Sequence, residues 1–177
     1  VSIGGDIAVK LFPWPQLQAR EVAIGNQKGF SEGAFIRADE VRVRLALGGL
    51  LNGSLDVESV EIEKPSVNLQ RNATGDVNWF FDPQEKVTGQ GLLSRVKLDQ
   101  ILVRGGLVSF DDLRNGNSTL VSALDATLSA QSILGPWRMQ GKAKWNDIAS
   151  NISVVTSQKE VGQPLKFTTK FAPVDLI

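Results

Sequence analysis

Val41-Arg42-Val43-Arg44-Leu45-Ala46-Leu47 places an apolar residue at every odd position and sets two arginines between them. Successive strand side chains point to opposite faces, so this stretch reads as a strand with one greasy face and one wet face. The same alternation returns in Trp137-Arg138-Met139-Gln140-Gly141-Lys142-Ala143-Lys144-Trp145 and in Leu165-Lys166-Phe167-Thr168-Thr169-Lys170-Phe171. Helical periodicity hardly occurs. A sheet of such strands must cover its apolar face, and with few helices on offer the cover is a second sheet, the same sheet curled over, or a bound apolar ligand.

Working outward, the alternation and its punctuation predict strands over residues 1–12, 18–25, 34–47, 54–64, 67–71, 76–81, 92–98, 101–104, 106–111, 118–131, 135–145, 151–157 and 164–171. Residues 92–98 and 47–51 also admit a short helix. Turn signals separate these runs, chiefly Asn52-Gly53, Gly75-Asp76 and Asn115-Gly116, the last being the best hairpin turn because both residues tolerate positive φ. Residues 82–91 are polar and patternless, which predicts a flexible loop. The fold expected is mostly β, an elongated, curved antiparallel sheet forming an open β-groove or a flattened sandwich, with few short helices. A single domain spans residues 1–177, and the abrupt start and end read as a piece cut from a longer protein.

Two local details carry predictions. Between Asp56 and Glu63 the apolar positions switch from odd to even, which a bulge near Glu58–Ser59 explains. The wet face of that run is acidic, and that of residues 41–47 carries Arg42 and Arg44. The two strands are therefore expected to be antiparallel neighbours with cross-strand ion pairs. Gly4-Gly5 and Gly105-Gly106 each precede an alternating run, read either as an internal echo of residues 2–9 in residues 103–110 or as a bulge or kink marked twice.

Composition narrows the chemistry. Nineteen basic and nineteen acidic residues cancel, and no basic face is in view, so nucleic acid is not an expected partner. There is no Cys and no His, which removes disulfides, thiolate metal sites and the commonest general base. No apolar run reaches the roughly 20 residues that span a bilayer, and residues 1–6 carry no signal-peptide pattern. Ser94-Arg95-Val96-Lys97 matches S-x-x-K, a motif that needs a helix to bring Ser and Lys together, and its partner motifs are missing. Asp111–Asn117 is rich in oxygen ligands but lacks the alternating order of a calcium loop and reads as a solvated hairpin turn. No catalytic residue, metal ligand or cofactor site is expected, and the chain does not read as an enzyme.

Three stretches go beyond generic patterning. Leu11-Phe12-Pro13-Trp14-Pro15 precedes Val22-Ala23-Ile24-Gly25-Asn26. Leu50-Leu51-Asn52-Gly53 leads into residues 60–69 and then Gly75-Asp76-Val77-Asn78-Trp79. Gly105-Gly106-Leu107-Val108-Ser109-Phe110-Asp111-Asp112 is followed by Leu134-Gly135-Pro136-Trp137. In this order and spacing the chain resembles the AsmA family of AsmA/TamB-like bacterial envelope proteins over residues 1–145. The resemblance implies the N-terminal periplasmic part of a protein anchored in the inner membrane by a helix preceding this chain. It also implies an apolar-lined β-groove that carries phospholipid towards the outer membrane and supports outer-membrane biogenesis and integrity.

On that reading the partner is phospholipid or another acyl-chain lipid, with envelope proteins as further partners and the membrane reached through a segment absent from this chain. Candidate groove residues are Val41, Val43, Leu45, Leu47, Val60, Ile62, Val67, Leu69, Trp137, Met139 and Trp145. Each also fits packing in a closed core. Phe12 and Trp14 lie near the implied membrane end, as interfacial anchors or as a capping plug. Two further readings stand beside the lipid groove. One is a non-enzymatic scaffold that assists outer-membrane protein assembly through edge-strand pairing. The other is an ordinary binding sandwich, for which Trp79-Phe80-Phe81 is the aromatic cluster.

Overall fold

The computed structural model describes residues 1–51, 56–79, 98–130, 136–157 and 167–174. In chain order the elements are β1 (Ser2–Ile3), β2 (Ile7–Lys10), β3 (Gln16–Gly25), β4 (Ala34–Leu45), α1 (Leu47–Leu51), β5 (Val57–Glu63), β6 (Ser66–Arg71), β7 (Leu98–Asp112), β8 (Asn117–Ala130), β9 (Trp137–Trp145), β10 (Ile148–Thr156) and β11 (Phe167–Pro173). The eleven strands among the described residues join one open sheet in the order β1-β3-β4-β5-β7-β8-β9-β10-β11. β2 lies beside β1 on the same flank of β3, and β6 continues the line of β5 between β4 and β7. The expected loop at 82–91, the segment 92–98 up to Leu98, and the Ser94–Lys97 motif lie outside the described residues.

One expectation needs correction. The sheet is mixed, not wholly antiparallel, because β5 and β6 both run parallel to β7. Alternation is identical in parallel and antiparallel strands, so the pattern carries no information about direction. A second correction concerns residues 76–81. Val77 makes a lone antiparallel bridge to Arg71 and the Asn72–Asp76 segment is a turn, so no strand forms up to Trp79. The β4 strand also stops at Leu45, and Leu47 opens the short helix α1.

Other local expectations hold. β4 and β5 are antiparallel neighbours, and their register passes from Arg44↔Ser59 to Leu45↔Val57, leaving Glu58 as the extra, bulged residue. Arg42 Nη1 meets Glu61 Oε2 at 2.8 Å across that pair. The β7–β8 hairpin turns at Asn115-Gly116, with Gly116 at φ 70° and its N–H donating to the Asp112 carbonyl at 2.9 Å.

A line of left-handed residues crosses the sheet at one level. Glu21 in β3 (φ 51°), Lys64 between β5 and β6 (φ 45°), Gly105 in β7 (φ 62°) and Ala123 in β8 (φ 48°) sit there, with Gly4 and Gly5 bonded to the Glu21 and Arg20 carbonyls at the edge. On crossing this line the apolar positions change parity in the strands from β3 to β8: from 17 and 19 to 22 and 24 in β3, from 43 and 41 to 38 and 36 in β4, from 60 and 62 to 67 and 69 along β5 and β6, from 101 and 103 to 108 and 110 in β7, and from 128 and 126 to 121 in β8. A left-handed residue inserted in a strand reverses which face the following residues occupy. In β3, along β5 and β6, in β7 and in β8 the two reversals cancel; β4 changes parity with no left-handed residue of its own. Val108 and Val121, beyond the line, accordingly pack on the same cluster as Val103 and Leu128, before it. That cluster, centred on Leu124, Ala126, Ala143 and Ile152, is the best-buried part of the apolar face.

Candidate functional site: an apolar face nine strands wide

Paired residues in a ladder share a face, so the register lists which side chains lie together. One cross-strand row runs Val9, Leu17, Val43, Val60, Ile101, Leu128, Met139, Val154 and Thr169. The next runs Ile7, Ala19, Val41, Ile62, Val103, Ala126, Gly141, Ile152 and Phe171. Beyond the left-handed line a third row joins Ile24, Ile36, Val67, Val108, Val121, Trp145 and Ile148. Only Thr169 breaks the apolar character of these three rows. Nine strands give eight steps of about 4.8 Å, so the first two rows extend roughly 38 Å along the sheet.

The opposite face is polar. Its matching row reads Gln18, Arg42, Glu61, Leu102, Thr127, Gln140, Ser153 and Lys170. An ion chain runs along it from Arg20 to Glu40 (3.3 Å), to Arg42, to Glu61 (2.8 Å) and to Arg104 (2.7 Å). The hydrogen bond from Arg104, against a smaller opposing effect of burial, lowers the Glu61 carboxyl below its ordinary value. Burial pushes Glu40 up, but hydrogen bonds from Gln18, Arg42 and Arg20 together outweigh it and hold the carboxyl low. Both stay ionised at neutral pH, which keeps this side in water. A depression of about 260 Å³ is lined by Leu102, Arg104, Asp125, Thr127, Gln140 and Lys142 of the polar-face positions and also by Val103, Ala126 and Gly141 of the second apolar row.

The structure brings most of the predicted groove residues together. Val41, Val43, Val60, Ile62, Val67 and Met139 fall in the three rows, with Trp145, whose ring lies tilted against that of Phe171 at 4.5 Å between ring centroids. Trp137 alternates onto the Met139 side of β9, opposite Ala130. Leu45 pairs with Val57 beside the bulge. Leu69 pairs with Phe110, whose ring meets Trp79 edge-on at 5.9 Å. Leu47 stands apart, on α1, and is exposed. Phe80 and Phe81 of the proposed aromatic cluster lie outside the described residues. Phe12 and Trp14 sit in the β2–β3 loop and are 90% and 55% exposed. Residues of β2, β3, β7, β8 and β10 complete the rows and were missed, although the same alternation runs through them; only the register shows that they line up.

Among the described residues no second layer covers this face: Val41, Val43, Val60, Ile62, Ile101 and Val103 are half-buried, not buried. Among the described residues no group of three or more carboxylates, His or Cys is placed to hold a metal ion. The Asp112 carboxylate of the former calcium candidate is instead taken up by Arg71 and Arg114, each at 3.1 Å. No helix among the described residues is long and apolar enough to cross a membrane.

These features define an open, single-layer amphipathic β-sheet protein. The chain belongs to the AsmA family, whose family model matches residues 1–171. It is 25% identical over 165 residues to the AsmA family protein YhjG of Escherichia coli (strain K12), an alignment covering 89% of this chain and 24% of that protein. The chain thus spans about a quarter of the length of that relative. Family membership suggests an envelope-related function.

Proposed function

We propose that this chain is a non-enzymatic periplasmic segment of a longer protein anchored in the inner membrane, and that it binds or conducts phospholipid along its apolar face. The observation that carries this reading is the apolar floor, about 38 Å long and broken only by Thr169 at its β11 end, set against an ion-paired outer face. A leaflet's hydrocarbon is about 15 Å deep, half of the roughly 30 Å core, so the floor is long enough for an acyl chain to lie along it and move. Each CH₂ removed from water contributes roughly 0.8 kcal/mol without directional preference. A floor of Val, Ile, Leu and Met therefore holds a chain without fixing its position.

The test is mass spectrometry of organic extracts from protein purified without detergent. Co-purifying phospholipid is expected, and it should disappear when Val43 or Leu128 is changed to Asp while circular dichroism stays that of the parent. A well-folded, lipid-free parent protein would sink the proposal. In that case the open flank of β11, which pairs only with β10 among the described residues, favours the scaffold reading, with an envelope protein adding a strand there.

A further inference from the structure

We propose that the tip of the β2–β3 hairpin seats in the interfacial layer of a phospholipid bilayer and sets one end of the apolar floor against its lipid source. This deepens the reading of the apolar face as a lipid-holding trough and rests on it only for the claim that the bilayer supplies the lipid. Leu11, Phe12 and Trp14 project from the tip at 75%, 90% and 55% exposure. Trp has an amphipathic ring that suits the headgroup level, and Trp, Phe and Leu are the side chains that interfacial segments bury at the headgroup–acyl boundary. Two of the five tip residues, Pro13 and Pro15, carry no backbone N–H, so the tip has few donors to strip of water on entering the membrane.

Charge points the same way. In a chain with nineteen carboxylates, residues 7–20 contain none and include Lys10 and Arg20. Lys10 lies in one cross-strand row with Gln16 and Arg44, and among the described residues neither Lys10 nor Arg44 is ion-paired. Asp6 and Glu21, the nearest carboxylates along the hairpin, stand at its other end, roughly 15–20 Å away at strand spacing. Asp56 on the neighbouring side packs against Gly49 of α1, and Glu58 is the exposed, bulged residue of β5. An apolar, aromatic tip with free cations behind it complements an anionic headgroup layer. The hairpin is also where the floor begins: Val9 with Leu17, and Ile7 with Ala19, are the first pairs of the two long rows.

The absence of cysteine makes the test clean, because one introduced thiol is unique. A polarity-sensitive dye is attached at Phe12→Cys, and in a separate chain at Leu113→Cys, which is exposed in the β7–β8 turn at the opposite end of the strands. Vesicles of phosphatidylcholine with phosphatidylglycerol should shift the emission of the first label to the blue and leave the second unchanged. The Phe12→Ser/Trp14→Ser double variant should lose at least about tenfold in vesicle flotation and keep its co-purifying lipid. Equal response at both labels, no response at position 12, or a shift that appears without vesicles as protein concentration rises would overturn the proposal, the last by assigning the tip to a second copy. If position 12 reports vesicles while the parent carries no lipid, the trough fails and the hairpin seat stands. If Val43→Asp empties the trough and leaves the vesicle response intact, both stand.

Discussion

Gly141 of β9 lies against Ala126 of β8 with no room for a side chain: a β-carbon on Gly141 would stand 2.7 Å from the Ala126 Cβ, and closer still to the Asp125 carbonyl oxygen. The two residues are partners in the middle of the apolar floor, where the β8–β9 register shifts between Ser122 and Asp125. The obstructing atoms include backbone, so rotamer changes cannot relieve the clash. Gly141→Val should therefore cost about 3 kcal/mol or more, measured by urea unfolding. Adding Ala126→Gly should recover only part of that loss, because the Ala126 Cα is also 2.7 Å away. Full recovery would place the strain in the side chain alone.

The left-handed line invites a paired experiment. Ala123 holds φ 48° inside β8, and Gly105 holds φ 62° on the neighbouring strand. A β-carbon in that conformation costs about 1–2 kcal/mol, and glycine returns some of it through backbone entropy. Ala123→Gly should stabilise the protein by roughly 0.5–1 kcal/mol. Gly105→Ala should destabilise it by about 1 kcal/mol, since its only near neighbour would be Lys64 Cγ at an ordinary 3.5 Å. Thermal melts of the two variants should move in opposite directions; movement in the same direction would mean that packing, not φ, decides both positions.

Much of this was legible in the residues. The alternation at Val41–Leu45 and the parity switch at Glu58–Ser59 gave the strands, the bulge and the antiparallel β4–β5 pair with its Arg42–Glu61 contact. What escaped was the part that depends on partners. The parallel pairing of β5 with β7 leaves no mark on local alternation, because side chains alternate in the same way in either direction. The parity changes in β3, β7 and β8 are each visible alone, yet only the register aligns Glu21, Lys64, Gly105 and Ala123 into one line and so shows that the apolar face is continuous. Leu47 read as one more strand position because nothing in Leu45-Ala46-Leu47 marks where pairing ends. Phe12 and Trp14 were recognised as special from the Phe-Pro-Trp-Pro string, and their exposure is a property of the fold.

Asn78 belongs to the Gly75-Asp76-Val77-Asn78-Trp79 stretch, and the structure supplies its physical role. It is fully buried. Its Oδ1 accepts from the Gln70 N–H at 2.8 Å, and its Nδ2 donates to the Asn68 carbonyl at 2.7 Å and to Asn26 Oδ1 at 3.1 Å. Gln70 in turn accepts from the Ser31 N–H and hydroxyl, at 3.0 and 2.9 Å. One amide thereby satisfies the outer side of β6 and ties it to the β3–β4 loop. Asn78→Ala would leave the Gln70 N–H and Asn68 carbonyl dry and unpaired, a loss of about 2–4 kcal/mol. Asn72→Ala, in the exposed turn bonded to Asp76, should cost under about 1 kcal/mol. Equal losses in urea unfolding would show that the clip is no more than a turn.

Asp112 predicts how the sheet responds to acid. The carboxylate accepts from Arg114 N, Nε and Nη2 at 3.1, 3.2 and 3.1 Å and from Arg71 Nη1 at 3.1 Å. The Arg114 hydrogen bond, countered by burial and reinforced by Arg71, lowers its pKa from 3.8 to about 2. The unfolded chain takes up this proton near the ordinary value, so the folded state gains stability that is full above about pH 4 and lost as pH falls to about 2. Glu40, Glu61 and Asp76 are also lowered and act in the same sense. Asp112→Asn removes one of these protonations. Its deficit relative to the parent should therefore shrink through that acid window and stay level from about pH 5 to 7, followed by urea melts at stepped pH. A deficit that does not change through the acid window would mean that the two arginines hold Asp112 by hydrogen-bond geometry and not by its charge. The tie between the end of β6 and the β7–β8 turn would then be insensitive to acid.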